Sequence, residues 1–130
     1  MFVRFVVPSF GRHSWGLIGI IQAALDLKDG RRFSYVQEMF FDEIYDWFNE
    51  YLPVPRRFSR SRRSGSAHNA ICWFKPTATT CIRKARALAS LLENHGFYTA
   101  MIRTRKPGYV VYEDQYQVAA EPFRETFIKR

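Results

Sequence analysis

Cysteine is scarce in this chain. Cys72 and Cys81 are its two, they do not form a CxxC pair, and no secretory leader is read ahead of them. A disulfide scaffold is excluded on that count, and two reduced, buried thiols in an intracellular protein are expected. Long apolar runs are missing too. The opening MFVRFVVPSF is too short and broken for a signal segment, and nothing approaches a membrane span. The three histidines, His13, His68 and His95, have no metal-binding spacing. A glycine-rich phosphate loop is also lacking: SGS at 64–66 stands alone, and GLIG at 16–19 lacks the following lysine. No repeat and no linker divides residues 1–130, so one domain is expected, long enough to bury a core without staples.

Acidic residues are few, 12 against 20 lysines and arginines, and the shortage is local. Asp42, Glu43, Asp46 and Glu50 sit close together, and no acid follows until Glu93. That acid-free stretch holds Arg56, Arg57, Arg60, Arg62, Arg63, Lys75, Arg83, Lys84 and Arg86. Such a field draws in polyanions: nucleic acid, anionic membrane or phosphorylated metabolites.

The pattern of apolar residues supplies the elements. FVRFVVP is a β-rich opening strand ended by Pro8. SWGLIGIIQAALDLKDG reads as a helix capped at Ser14 and stopped at Gly30, with Gly16 and Gly19 leaving room for close approach to its first turn. Ser34 and Gln37 make a capping box for a second helix, with Val36, Phe40, Ile44, Trp47, Phe48 and Tyr51 on its inward face. Residues 56–67 are a loop, and NAICWFK is a strand. TATTCIRKARALASLLENHG is a helix ended by Gly96, with Ile82, Ala85, Leu88, Ala89 and Leu92 inward. FYTAMIRTR is a strand, KPG a turn, and YVVYEDQYQVAAEP a hairpin turning at Glu113 and Asp114.

The order β-α-α-β-α-β-β-β predicts a two-layer α+β fold, a mixed, mostly antiparallel sheet packed with about three helices. The strands on either side of the last helix are expected to pair in parallel, and the last three strands to be antiparallel neighbours.

No nucleophile finds a base. His68 and Cys72 share a strand face but stand roughly 13 Å apart. Cys81 opens a helix, where the dipole favours a thiolate, but no histidine adjoins it in sequence. Glu113 and Asp114 fit a hairpin turn better than a metal site. The expectation is a protein without catalytic residues, cofactor or metal. A nucleotide-cleaving enzyme, its groups gathered from distant positions, is a third reading.

What remains is cationic and aromatic. Arginine binds phosphate bidentately, and Arg56, Arg57 and Arg60 flank Phe58 in a loop running into Asn69. Strand alternation puts Asn69, Ile71, Trp73 and Lys75 on one face, pairing an indole with a cation and an amide. Met101, Arg103 and Arg105 align on the next strand, and Tyr109, Tyr112, Gln115, Tyr116 and Gln117 follow on the hairpin. Tyrosines stack on a flat heterocycle, and amides read its edge; the plain alternative for each ring is core packing. A short arginine loop beside rings suits one compact phosphorylated nucleotide. A nucleic-acid-binding inhibitor or regulator using the same loop is the alternative, although no helix-turn-helix, zinc-finger or RNA-recognition signature is present.

The strings DWFNEYLPVPRRFSR, AICWFK and KPGYVVYEDQYQVAAEP together resemble the phage-encoded Thoeris anti-defence sponges, over nearly the whole chain. The resemblance implies a non-enzymatic protein in the cytoplasm of a bacterial host that sequesters cyclic ADP-ribose signals. It also implies a homo-oligomer, a dimer or an assembly of dimers, with pockets at the dimer interface and cyclic oligonucleotides as further ligands. It assigns no residues by position.

Overall fold

A computed structural model of the chain describes residues 1–8, 17–52 and 70–123. Its elements are β1 (Phe2–Pro8), β2 (Leu17–Gly19), α1 (Ile20–Asp29), α2 (Tyr35–Tyr51), β3 (Ile71–Phe74), α3 (Thr79–Asn94), β4 (Ala100–Thr104), β5 (Tyr109–Glu113) and β6 (Gln117–Glu121). The three helices pack on a six-stranded sheet, so the fold is α+β as the order of elements predicts.

The sheet is antiparallel at every pairing. β4 takes one edge of β1 along five register pairs, from Phe2↔Thr104 to Val6↔Ala100. The other edge of β1 is divided. β3 meets it at Val3↔Phe74, and β2 meets it from Val6↔Gly19 onward. β6 then pairs β3, and β5 pairs β6.

Two expectations about pairing are corrected here. β1 lies between β3 and β4, so the strands around α3 run the same way without sharing a ladder. β4 is likewise no neighbour of β5, because residues 105–108 carry the chain across the end of the sheet to its far side.

Val3, Phe5 and Val7 of β1 face the helices, where they join one core with Ile20, Phe41, Leu88 and Leu92. Val6 faces the other way and forms a smaller cluster with Trp73, Ile102 and Val118. This is the two-residue alternation of a strand buried on both sides.

The helices follow their local chemistry. α1 buries Ile20, Ala23, Ala24 and Leu27, the spacing of one helical face. It begins six residues later than Ser14, with Gly19 as N-cap, because residues 17–19 are taken by strand pairing. In α2 the Ser34 hydroxyl accepts from the Gln37 amide while the Gln37 side chain accepts from the Ser34 amide. Its buried face is Phe41, Ile44 and Phe48, rotated from the expected one. Val36, Phe40 and Tyr51, read as inward, are exposed.

α3 buries Cys81, Ala85, Leu88, Ala89, Leu91 and Leu92, with Ile82 partly covered. It closes in a Schellman turn. Gly96 adopts φ 84°, its amide donates to Glu93, and the Phe97 amide donates to Leu92. No helix among the described residues is long and apolar enough to cross a membrane.

Candidate ligand-binding site

Among the described residues, those singled out from sequence do not form one constellation. Arg56, Arg57, Phe58, Arg60 and Asn69 lie outside the described residues. Trp73 is 2% exposed and packs against Val6, Ile102 and Val118, so its faces are core surface. Lys75 Nζ is 2.6 Å from the Glu113 carboxylate, an ion pair that joins the end of β3 to the hairpin.

Arg103 and Arg105 are exposed on the β4 side of the sheet. Alternation turns Arg103, like Met101, away from the face that carries Ile102 and Trp73. Tyr109 is exposed on β5, four strand spacings from β4, or roughly 19 Å along the sheet. The cationic and aromatic strand positions therefore do not converge.

The hairpin's polar groups are engaged with one another. Asp114 Oδ1 accepts from the amides of Tyr116 (2.8 Å) and Gln117 (3.0 Å). Its Oδ2 accepts from the Tyr112 hydroxyl (2.7 Å) and the Gln117 side-chain amide (3.1 Å). Burial opposes the Asp114 charge, but these bonds outweigh it and hold the carboxyl below its ordinary pKa. The bond to Asp114 in turn pushes the Tyr112 hydroxyl up. Tyr112 and Gln117 thus serve the turn, and Gln115 is exposed at its tip.

Two concave sites lie beside the C-terminal end of α2, on either side of it. The first is a cleft of about 250 Å³ between α2, the start of α3 and the hairpin turn. Trp47, Tyr51 and Tyr116 supply rings; Thr77, Thr79 and Thr80 supply hydroxyls. Trp47 and Tyr51 stand one helical turn apart with ring centroids 5.3 Å apart, and Lys84 Nζ lies 5.7 Å from the Trp47 ring centre. No side chain caps α3 at Ala78 and no acid occupies its first turn, so its amides and dipole favour an anion there. Cys81 also lines the cleft, but burial pushes its thiol up, overriding the helix-dipole effect expected from its position.

Sequence reading placed Trp47 and Tyr51 inward and did not single out the threonines. The signal was present in PTATT, a run of small hydroxyl residues opening a basic helix without an acid.

The second site is a cavity of about 200 Å³ at the fork where β2 and β3 share the edge of β1. Arg4, the first turn of α1, Phe48, Leu52 and Trp73 are among its walls. Arg4 Nη1 donates to the Cys72 carbonyl at 3.2 Å, bridging the gap that the ladder leaves. Burial lowers the Arg4 pKa from its ordinary value.

No family model matches the chain, and no curated protein or solved structure matches it. The resemblance to the Thoeris anti-defence sponges rests on the quoted strings.

Proposed function

We propose that the protein binds and sequesters, without converting it, a phosphorylated adenine nucleotide such as a cyclic ADP-ribose isomer, and so counters bacterial immune signalling. The observation that carries this reading is the cleft that sets three rings beside the uncapped start of α3. An apolar cavity of about 150 Å³ takes a benzene ring, so this cleft has room for a purine, with the remaining nucleotide outside it. Trp47, Tyr51 and Tyr116 would stack the base. The Thr79 and Thr80 hydroxyls and the α3 amides would take a phosphate at the rim.

Tyr51 precedes the arginine-rich stretch by few residues, and chain length alone keeps Arg56 and Arg57 within roughly 20 Å of it. The raised thiol pKa of Cys81 disfavours a thiolate nucleophile in the cleft, which suits retention rather than turnover.

The same reading makes the protein a homo-oligomer. The surface it would use is the start of α2, where Tyr35 (77%), Val36 (73%), Met39 and Phe40 are exposed on adjoining turns.

The test is capture and release. The protein is incubated with cyclic ADP-ribose isomers, freed of unbound ligand and heat-denatured, and the released material is analysed. Intact nucleotide is expected. Tyr51→Ala in the cleft, and separately Arg57→Ala with Arg60→Ala, should each reduce capture at least tenfold with circular dichroism unchanged. A cleaved product would identify an enzyme. No capture, together with steeply salt-dependent binding to a single strand or duplex, would favour the nucleic-acid reading.

A further inference from the structure

We infer that the outer edge of β4 is a docking site for an extended acidic peptide, which joins the sheet as a further strand. The inference stands independently of the nucleotide reading.

It begins with the two ends of the sheet. β4 pairs with β1 and β5 pairs with β6, and neither has a second partner among the described residues, so each presents an open edge. The two edges differ. The ladder of β5 shifts register between Val110 and Tyr112, a bulge that bends the strand and spoils its edge as a template. β4 holds an unbroken register of five pairs with β1 and contains neither proline nor glycine. Alternate residues of such a strand turn their N–H and C=O groups away from β1, in the pattern that an incoming strand matches.

The side chains decide what kind of strand fits. Met101 packs toward the helices, and alternation places Arg103 on the same face. Arg86 of α3 reaches that face too, with Nη2 3.6 Å from Met101 Sδ. Arg105 follows just beyond the end of β4, and all three arginines are exposed. No carboxylate among the described residues pairs with any of them. No acid lies between Glu93 and Glu113, and Glu93 accepts a hydrogen bond from Thr99. On the other face Ile102 is buried with Val6 and Trp73, and Ala100 packs against them. A strand added here meets cations on one face and an apolar cluster on the other. Its complement alternates acidic with β-branched residues. Side chains directly opposed on neighbouring strands stand about 5 Å apart, within reach of a carboxylate–guanidinium pair.

Charge also selects among occupants. A second copy adding β4 to β4 about a two-fold axis would set Arg86 and Arg103 of each chain against those of the other, and like charges opposed across strands are destabilising. The phosphates of a nucleic acid would satisfy the arginines, but they accept hydrogen bonds without donating them and leave the outward carbonyls of β4 unmatched. An acidic peptide answers both the charge and the backbone.

The experiment uses the full chain labelled with nitrogen-15, titrated with the end-blocked synthetic peptide Glu-Val-Glu-Thr-Glu-Val. One control peptide carries lysine in place of each glutamate, and another is the acidic peptide methylated at every backbone nitrogen. Oligothymidylate tests the nucleic-acid source of negative charge. The amide resonances of β4 are expected to shift saturably with the acidic peptide alone, and hydrogen exchange of alternate β4 amides should slow in the complex. Arg103→Glu should weaken binding of the acidic peptide by roughly tenfold and confer binding of the lysine peptide. Its circular dichroism should be unchanged, because Arg103 is exposed. Unslowed exchange in β4, binding of the methylated peptide as tight as that of its parent, or unchanged affinity in Arg103→Glu would overturn the assignment. Oligothymidylate moving the same β4 resonances more strongly would overturn it in favour of nucleic acid. Should Arg103→Glu not fold, the comparison of the acidic peptide with its methylated form on the wild-type chain decides.

Discussion

At the scale of single residues, Gly108 is the position where the fold leaves no choice. Its φ is 132°, in a region L side chains avoid, and an added Cβ would fall onto the backbone carbonyl of Glu121. The close approach follows from register: Tyr109 pairs with Glu121, so Gly108 enters the sheet against the end of β6. Gly108→Ala should destabilise the protein by about 3 kcal/mol, since strain and a backbone clash act together. A chemical denaturation midpoint checks this, and a shift within error of wild type would refute the geometry. The sequence announced a turn at KPG, but the need for glycine arises from a strand remote from that turn. Trp73 shows the same limit. Alternation correctly placed it with Ile71 on one face, but alternation cannot say that Ile102 and Val118 would close over the ring. Polar partners were equally hidden. Tyr112 and Gln117 looked like groups for reading a ligand, and both bind Asp114 instead.

The elements themselves were the most legible part, because their signals are local. The capping box at Ser34, the Schellman turn at Gly96 and the hairpin turn near Asp114 each require only a few adjacent residues. The face an element buries is less local. Apolar residues surround α2, so periodicity alone admitted more than one inward stripe, and packing against α3 and Phe74 selected Phe41, Ile44 and Phe48. The β5–β6 hairpin gives a prediction at this scale. Asp114 has a lowered pKa in the folded protein. Its contribution to stability is present above the unfolded aspartate pKa of about 4 and is lost as pH falls through the lower folded value. Asp114→Asn removes that titration while keeping an acceptor for the Tyr116 and Gln117 amides. The difference in stability between wild type and Asp114→Asn should be constant near neutrality and shrink steadily below about pH 4. A difference that does not change across that range would mean the carboxylate charge contributes nothing to the turn.

At the scale of the whole molecule, what the sequence withheld was strand order, since β1 inserts between β3 and β4 through contacts far apart along the chain. The two concave sites were withheld for the same reason, because each gathers residues from at least three elements. Distribution of charge, by contrast, is a whole-chain property that sequence reveals directly, and it bears on assembly. The exposed stripe of α2 is apolar at its start, through Val36, Met39 and Phe40. It is acidic further on, through Glu43, Asp46 and Glu50, and Arg31 and Arg32 lie exposed just ahead of it. Two copies packed antiparallel about Met39 would bury the apolar halves against each other and turn Arg31 and Arg32 of each toward Asp46 and Glu50 of its partner. With Tyr35, the exposed apolar side chains Val36, Met39 and Phe40 contribute on the order of 450 Å², and the flanking charged residues extend the face toward the roughly 800 Å² per partner of a stable complex. The pairing is self-complementary, as a two-fold interface must be, and it opposes acids to bases in a chain whose net charge of +8 otherwise repels a second copy. Light scattering on the eluting protein at micromolar concentration should therefore give the mass of a dimer or a multiple of it. Met39→Glu should convert it to a monomer with an unchanged circular dichroism spectrum, because Met39 is exposed and contributes nothing to the core. A wild-type protein that elutes as a monomer, or a Met39→Glu variant that remains paired, would remove α2 from the interface.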